Sequence, residues 1–158
     1  MTFCTYELAL NQDIQDRLRN EIESVLKKHN GEVTYEAIME MKFLDMVVNE
    51  TLRKYPIFEV QIRKCTKEFE IPGTGLVIPV GMPIMIPVVG IHNDEKYFEN
   101  PDKFDPERFS DENKHKIQDF TYLPFGAGPR LDLIHNFVIL DLILKLLFIE
   151  IVLVADLH

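Results

Sequence analysis

Two charged motifs in this 158-residue sequence contain residue types that could form a functional network. Glu50 and Arg53 lie three positions apart on a predicted helix, so their side chains share a face and can form an ion pair. Arg108 lies between Pro106 and Phe109 in a segment without a regular period. Taken separately, these charges are typical of exposed ion pairs and solvent-facing arginines, which contribute little to stability.

A glycine-rich loop, PFGAGPR, occupies residues 124–130. Gly126 and Gly128 permit a close approach of the backbone to a bound group, and Pro129 stiffens the turn. Loops of this composition that end in a cation, here Arg130, often grip a cofactor. By itself, however, the segment is also compatible with an ordinary β-turn.

Helices in the first third of the chain must position the charged motifs. Apolar residues at nearly four-residue spacing predict a helix over residues 2–29, which ends at Asn30 and Gly31. Thr34 is predicted to cap a short helix. A stronger apolar series with i, i+3, i+4, i+7 spacing predicts a second long helix in residues 42–56, which Pro56 ends.

The rest of the first 130 residues changes character. Residues 57–90 are rich in β-forming residues, with proline and glycine between them, and predict short strands and tight hairpins. The segment RKC, residues 63–65, is expected at the start of a strand. Residues 91–130 combine aromatic, proline and charged residues without a period, which predicts an ordered irregular segment.

The composition excludes several classes of partner and compartment. A net charge of −9 and a pI near 5.0 argue against nucleic acid or an anionic membrane as the main partner. Cys4 and Cys65 lie far apart, so we expect reduced, buried thiols in an intracellular protein. The N-terminus does not resemble a signal peptide, and no segment before residue 131 is long and apolar enough to span a bilayer.

Residues 131–158 differ in composition from the rest of the chain. They are mostly Leu, Ile and Val, with no Gly, Pro, Ser or Thr. As a membrane span this segment is poor, because Asp141, Lys145 and Glu150 each cost about 2.5–3.5 kcal/mol near a bilayer centre. As a soluble helix it would be apolar on nearly every face. The alternative is that this segment forms a helix that binds a partner or lies on a membrane surface.

The order and spacing of the motifs resemble the C-terminal part of the cytochrome P-450 family, the haem-thiolate monooxygenases. The residues within these motifs are most similar to those of insect microsomal enzymes of the xenobiotic-metabolising kind. The resemblance covers residues 1–130 almost continuously. The motifs that carry it are, in order, ETLRKYP, RKC, IPGTGLVIPVG, HND followed by KY, KFDPERF and YLPFGAGPR. The implied fold is mainly α with a small β-region (α+β), a partial cytochrome P-450 fold.

The resemblance implies a structural network and two flanking regions. Glu50, Arg53 and Arg108 match three family residues that form a buried charged network in the haem-side core. Such a network suits this role, because losing one partner leaves the other charges buried without compensation. Residues 2–29 would be the end of the long oxygen-side helix and the helix after it. Residues 66–90 would line the substrate channel.

The resemblance also implies haem contacts. Arg63 and Arg130 match arginines that hold the haem propionates, a charge-assisted pairing that suits the guanidinium group. Phe125, Gly126 and Gly128 match the loop that passes under the macrocycle.

The sequence departs from the family pattern at the metal ligand. The family loop runs F-x-x-G-x-R-x-C-x-G, but Asp132 occupies the position of the axial cysteine and Ile134 that of the final glycine. A carboxylate is a harder donor and cannot supply the electronic push of a thiolate. His135 matches no family ligand, and Cys65 falls in the β-region. We therefore assign no metal ligand and expect no catalysis by this chain.

Two further departures lead to a division of the chain. The family's oxygen-activating helix and membrane anchor would precede Met1, and the helix that should follow the cysteine is replaced. Residues 1–130 are thus expected to be a partial haem-side region, and residues 131–158 a non-family tail, such as translated non-coding sequence. An evolved tail is the alternative.

Two classes of function remain. In the first, the chain is a fragment of a haem- and iron-dependent monooxygenase at the cytoplasmic face of the endoplasmic reticulum. Such an enzyme takes electrons from a reductase and inserts oxygen into small lipophilic substrates; its anchor and signal are missing from this chain. In the second, the chain is a non-catalytic pseudogene product or an interaction module that uses the apolar tail. Neither class involves nucleic acid.

Overall fold

The computed structural model of this chain describes residues 2–127 and residue 144. Over these residues the fold is mainly α with a small β-region, as predicted. Four helices come first, and a fifth short helix follows the strands. The five helices are α1 (Thr2–Leu10), α2 (Gln12–Lys28), α3 (Tyr35–Glu40), α4 (Lys42–Lys54) and α5 (Val88–His92).

The single helix predicted over residues 2–29 is wrong in one respect, because it is broken at Asn11. This residue has φ −120° and ψ 78°, outside the helical region. Its side-chain amide donates to the carbonyl of Glu7 at 2.8 Å. Asparagine side chains offer the backbone such local alternatives to a helix, and an apolar spacing pattern does not register them. The predicted stop is present, since Gly31 adopts φ 81° just after α2.

Helix α4 receives its cap from a distant residue. Met41 precedes the helix and supplies no side-chain cap. Instead, the Glu21 carboxylate on α2 accepts hydrogen bonds from the backbone amides of Phe43 and Leu44, at 2.8 and 2.9 Å. These are amides that an N-cap side chain normally satisfies, and the negative charge also suits the helix N-terminus. The short α3 has the predicted cap, with Thr34 Oγ1 accepting from Ala37 N at 3.1 Å.

Removing this cap should destabilise the fold. We expect Glu21→Ala to lower the free energy of unfolding by about 0.5–2 kcal/mol, because two amides of α4 lose their partner. Urea denaturation measures the change. Glu23→Ala is the matched control, since Glu23 lies exposed on the same helix and makes no comparable contact to α4. Equal losses in the two variants would show that Glu21 acts only through helix propensity.

Helix α4 forms the centre of the described core. Every residue from Met46 to Arg53 is buried, including polar ones, because α4 packs against α1, α2, α5 and the turn at 106–109. The predicted apolar series accounts for the side chains that meet the other helices. Among these, Leu44 and Val47 are fully buried. A helix enclosed on all sides can place charged side chains out of reach of water, which an amphipathic surface helix cannot.

The β-region consists of two antiparallel pairs. Strand β1 (Val60–Lys64) pairs with β4 (Pro83–Pro87), with Ile62 opposite Met85. Strand β2 (Phe69–Glu70) pairs with β3 (Val77–Ile78). The predicted strand start at residues 63–65 is wrong: β1 begins at Val60, and Cys65 lies just beyond its end. Pairing with β4 sets the strand limits, and such long-range pairing cannot be deduced from the local sequence.

The segment after β4 also differs from its prediction. Residues 88–92 form α5, although valine and glycine are poor helix formers. Tertiary packing explains the helix, because Val88 and His92 are four residues apart and both fully buried. Beyond it, short 3₁₀ turns at Pro106–Phe109 and Lys114–Lys116 interrupt the predicted irregular segment. Within the described residues, no helix combines the length and hydropathy required to cross a bilayer.

Candidate functional site

Glu50 and Arg53 form a fully buried, two-pronged ion pair. Neither side chain exposes any surface. Arg53 Nε donates to Glu50 Oε2 at 2.8 Å, and Arg53 Nη2 donates to Glu50 Oε1 at 3.0 Å. This is the parallel fork that guanidinium and carboxylate groups favour. An isolated motif of this spacing would suggest an exposed ion pair. In this fold the pair is buried instead.

The remaining donors of Arg53 bind backbone carbonyls from later parts of the chain. Nη1 donates to His92 O at 2.9 Å, and Nη2 also donates to Pro101 O at 2.7 Å. One guanidinium group therefore links α4 to the end of α5 and to the irregular segment. Because these carbonyls have no helical or strand partner of their own, Arg53 replaces secondary structure as their hydrogen-bond donor.

Arg108 joins this pair from the turn at Pro106–Phe109. Its side chain is only 13% exposed, and its Nε lies 3.5 Å from Glu50 Oε1, within ion-pair range. Its Nη2 donates to Asn100 O at 2.9 Å. The Glu50 carboxylate also accepts from Asp105 N at 3.0 Å. The structure thus brings together the charged network, defined here as Glu50, Arg53 and Arg108.

The pKa of Glu50 reflects its surroundings. Burial raises the pKa of this carboxyl above its ordinary value, while hydrogen bonds and charge from Arg53 oppose that rise. The pair is consequently not a simple source of stability. Its significance is that each charge depends on the other, so removing one leaves a buried charge without compensation.

The two residues just before the glycine-rich loop are held by side chains from three other elements. His92 Nε2 accepts from Leu123 N at 2.8 Å, and Gln61 Nε2 on β1 donates to Leu123 O at 3.2 Å. The Tyr122 hydroxyl donates to Asn49 Oδ1 on α4 at 2.9 Å. These contacts fix the chain immediately before the loop, at both backbone groups of one residue.

Two of the predicted cofactor contacts lie in the described part of the loop. Phe125 is 6% exposed and belongs to the main hydrophobic cluster. Gly126 has φ 96°, a left-handed conformation that side chains rarely adopt, which explains why glycine stands there. Gly128 and Arg130 lie outside the described residues, as do Asp132, Ile134 and His135.

Arg63, the remaining predicted contact, lies exposed on β1. Its Nη2 donates to Gln61 Oε1 at 3.1 Å, and its Nη1 donates to Ile62 O at 3.1 Å. Since Gln61 also binds Leu123, a single amide side chain connects Arg63 to the start of the loop. The charged end of Arg63 is thus oriented by the same contact that holds the loop.

His92 is the site residue that sequence reasoning missed. It is fully buried, its ring stacks with Tyr122 at 5.7 Å, and Phe98 packs edge-on at 6.0 Å. Its Nδ1 lies 2.9 Å from Arg53 O. The sequence signal is the HND segment, which carries part of the resemblance but names no role for its histidine. A single histidine beside polar residues does not reveal that it will be buried.

Burial of His92 should make the fold sensitive to acid. Burial lowers the pKa of His92 from 6.5 to about 4. Below pH 6.5 the unfolded chain therefore binds a proton that the folded chain does not. Stability that is present above pH 6.5 should decline as the pH falls to about 4, by an amount on the order of 3 kcal/mol.

Urea denaturation at a series of pH values tests this expectation. The stability difference between the native chain and His92→Gln should shrink as the pH falls through this window. His115→Gln is the control, because His115 is exposed. A difference that is constant with pH would contradict the assignment of this acid sensitivity to His92.

Neither cysteine of the chain lies in the glycine-rich loop. The sequence has two cysteines, and both are buried thiols outside any disulfide, as we expected. Cys65 Sγ donates to Lys67 O at 2.9 Å within the β-region, and Cys4 packs in the helical core. Across residues 2–127 and 144, the His, Cys, Asp and Glu side chains form no group of three suited to a metal ion.

Comparison with known proteins supports the resemblance. Residues 1–131 match the family described as Cytochrome P450. The probable cytochrome P450 6a13 of Drosophila melanogaster is 52% identical over 130 residues, which cover 82% of this chain and 26% of the relative. Cytochrome P450 6j1 of Blattella germanica is also 52% identical over 130 residues, with the same coverage.

A third relative aligns over more of the chain. Cytochrome P450 9e2 of Blattella germanica is 48% identical over 142 residues, which cover 89% of this chain and 27% of the relative. That alignment is longer than residues 1–130, so it includes part of the apolar segment. The chain spans about a quarter of the length of these curated relatives. The family match over most of the chain, with relatives near half identity, establishes that this chain belongs to the cytochrome P450 family.

Proposed function

We propose that residues 1–130 are a partial C-terminal haem-side region of a haem-thiolate monooxygenase, and that this chain is catalytically inactive as it stands. The observation that carries the proposal is the residue at the position of the family's cysteine ligand, which is Asp132 in this chain. The family model matches up to residue 131, directly before this position, and the alignment with cytochrome P450 9e2 continues beyond it. The family assignment and the expected inactivity therefore depend on different residues.

The described residues fit part of a haem site. The left-handed Gly126 leaves no side chain between the loop backbone and an approaching planar group. Phe125 is anchored in the core, and Leu123 is held at both backbone groups. We assign Arg63, Arg130, Phe125, Gly126 and Gly128 to haem binding, and Arg63 and Arg130 would pair with the propionates as the resemblance implies.

The donor set does not fit the axial ligand. Both cysteines of the chain are buried elsewhere, and Cys65 is engaged with Lys67. A carboxylate such as Asp132 is a harder donor than a thiolate, and it does not supply the electron density that favours O–O cleavage. We therefore derive no catalytic step through a haem in this chain.

The role of the charged network follows from its geometry. Glu50, Arg53 and Arg108 tie α4 to the irregular segment, and His92 and Asn49 tie the same region to the start of the loop. We propose that the network holds the haem-side core in place and makes no contact with substrate. It can form in this chain independently of the ligand position.

We extend the proposal to the whole enzyme from which this sequence type derives. Such an enzyme would receive electrons from a reductase and act on small lipophilic substrates, at the endoplasmic reticulum membrane. The resemblance to insect xenobiotic-metabolising enzymes supports this class. The described residues include no feature that selects a particular substrate.

A reconstituted turnover assay tests the proposed inactivity. The purified chain, loaded with haem, would be combined with a cytochrome P450 reductase, NADPH and a lipophilic fluorogenic ether. The probable cytochrome P450 6a13 of Drosophila melanogaster serves as the positive control. We expect product from the control and none from this chain. Product that forms at a rate proportional to the concentration of this chain would overturn the proposal.

The apolar segment at residues 131–158 supports a second candidate, a non-catalytic pseudogene product or an interaction module. We propose that this segment is translated non-coding sequence, with an evolved tail as the alternative. The alignment of part of this segment with cytochrome P450 9e2 favours the alternative. The genomic sequence after the Arg130 codon decides between them. A splice donor there, followed downstream by coding sequence for the missing cysteine, supports the first. A chain that purifies as a monodisperse folded protein supports the module.

A further inference from the structure

His92 connects two parts of the molecule through opposite sides of one ring. Its Nδ1 lies 2.9 Å from Arg53 O, and because a carbonyl oxygen can only accept, Nδ1 must carry the proton. Its Nε2 lies 2.8 Å from Leu123 N, which can only donate, so Nε2 must be unprotonated. The two contacts together define one neutral tautomer.

The two residues that the His92 ring binds, Arg53 and Leu123, belong to different parts of the proposed haem-side region. Arg53 is a member of the charged network, and it also donates from Nη1 to His92 O at 2.9 Å. Leu123 directly precedes Pro124, where the glycine-rich loop begins. A chain of direct hydrogen bonds therefore runs from Glu50 through Arg53 and His92 to Leu123.

We propose that His92 is a positioning residue that sets the start of the glycine-rich loop relative to the charged network. It acts through Leu123 and touches no reacting group. The statement that the glycine-rich loop binds haem rests on the proposed function above. The positional role itself concerns only residues of this chain and can be measured without haem.

The ring is well suited to this task. Tyr122 stacks on the ring and Phe98 lies in a T-shaped arrangement with it, so two aromatic neighbours restrict the ring plane. A histidine ring holds its donor and acceptor rigidly on opposite sides, whereas a glutamine places both on one terminal amide.

The charged surroundings favour the neutral ring. The guanidinium of Arg53 faces His92 from α4, and its charge is shared with Glu50 and, through Glu50, with Arg108. Tyr122 from the loop side is held neutral, because burial raises its pKa well above the ordinary value. Phe98 contributes no charge. A second proton on His92 would place an N–H group directly against Leu123 N–H.

Nitrogen NMR of the uniformly labelled 158-residue chain tests the tautomer. At neutral pH we expect the His92 ring to show a protonated Nδ1 and an unprotonated Nε2, with a coupling from Leu123 N–H to Nε2. A ring that is protonated on Nε2, or on both nitrogens, would overturn the proposal. This measurement needs no variant, so it stands even where a substitution prevents folding.

Amide hydrogen exchange tests the positional role. In His92→Gln we expect exchange at Leu123 to accelerate about tenfold more than exchange in the middle of α4, because the lost hydrogen bond is local to Leu123. His115→Gln should leave both regions unchanged. Equal acceleration in α4 and at Leu123 would show a general loss of stability and refute a positioning role. A failed turnover or haem experiment would not affect either result.

Discussion

Glu50→Gln is expected to lower the free energy of unfolding by about 3–5 kcal/mol, far more than the loss of an exposed ion pair. The substitution keeps the size of the side chain but removes its charge. Arg53 then remains fully buried with a neutral amide in place of its carboxylate. Arg108 loses its ion-pair partner at 3.5 Å. Because domains of this size are typically stable by about 5–15 kcal/mol, much of the chain should unfold at moderate urea concentrations.

Glu107→Gln provides the matched control for Glu50→Gln. Glu107 also pairs with an arginine, Arg17, but both side chains are about half exposed. Exposed pairs contribute about 0–1 kcal/mol, so the same chemical change should have little effect there. Urea denaturation monitored by circular dichroism compares the two variants. Similar midpoints for both would contradict the view that Glu50 is the centre of a buried network.

Arg53→Lys should also be strongly destabilising, although the positive charge is kept. A lysine can approach Glu50 but cannot reproduce the fork or reach His92 O and Pro101 O together. Leaving these two buried carbonyls without a donor should cost about 2–4 kcal/mol, measured by the same urea denaturation. The result separates the geometry of the guanidinium group from its charge.

Arg19→Lys is the control for this second prediction. Arg19 lies on α2 and pairs with Asp16 across one helical turn at 3.2 Å, in contact with solvent. A lysine can maintain such a pair, so the change should be within about 0.5 kcal/mol. If Arg53→Lys were equally mild, charge alone would account for the network, and the hydrogen bonds to His92 and Pro101 would be of minor importance.

The sequence predicted the fold class and the main helix positions because both depend on local patterns. Apolar spacing located α4. The three-residue separation of Glu50 and Arg53 placed both side chains on one face of this helix. The break at Asn11 escaped this reasoning, because an asparagine that bonds to Glu7 O does not alter the apolar period. The cap of α4 also escaped it, since Glu21 is more than twenty residues away from the amides it binds.

The site could be predicted only where the resemblance named residues. Burial of Glu50 and Arg53 depends on α4 being enclosed by other elements, which their spacing does not indicate. His92 and Gln61 could not be identified at all, because their roles are defined by contacts with Leu123, about 31 and 62 positions away. Sequence reasoning identifies charge pairs on one helix more readily than single polar residues that join distant segments.

The departure at Asp132 rests on sequence alone, because that residue lies outside the described part of the chain. Tyr122 and Leu123, which directly precede the glycine-rich loop, are held by contacts from α4, α5 and β1. We therefore regard the start of the loop as intact in form and the ligand position as changed in chemistry. Family membership follows from the match over residues 1–131, and the proposed inactivity follows from the changed ligand position.

The absorption spectrum of the reduced chain with haem and carbon monoxide tests this account most directly. The purified chain would be incubated with haem, reduced under carbon monoxide and compared with the intact cytochrome P450 6a13 relative treated in the same way. A cysteine thiolate opposite carbon monoxide shifts the Soret band to a characteristic long wavelength. We predict this band for the relative and its absence for this chain. The thiolate-type band in this chain, lost on replacing Cys4 or Cys65 with serine, would contradict the account.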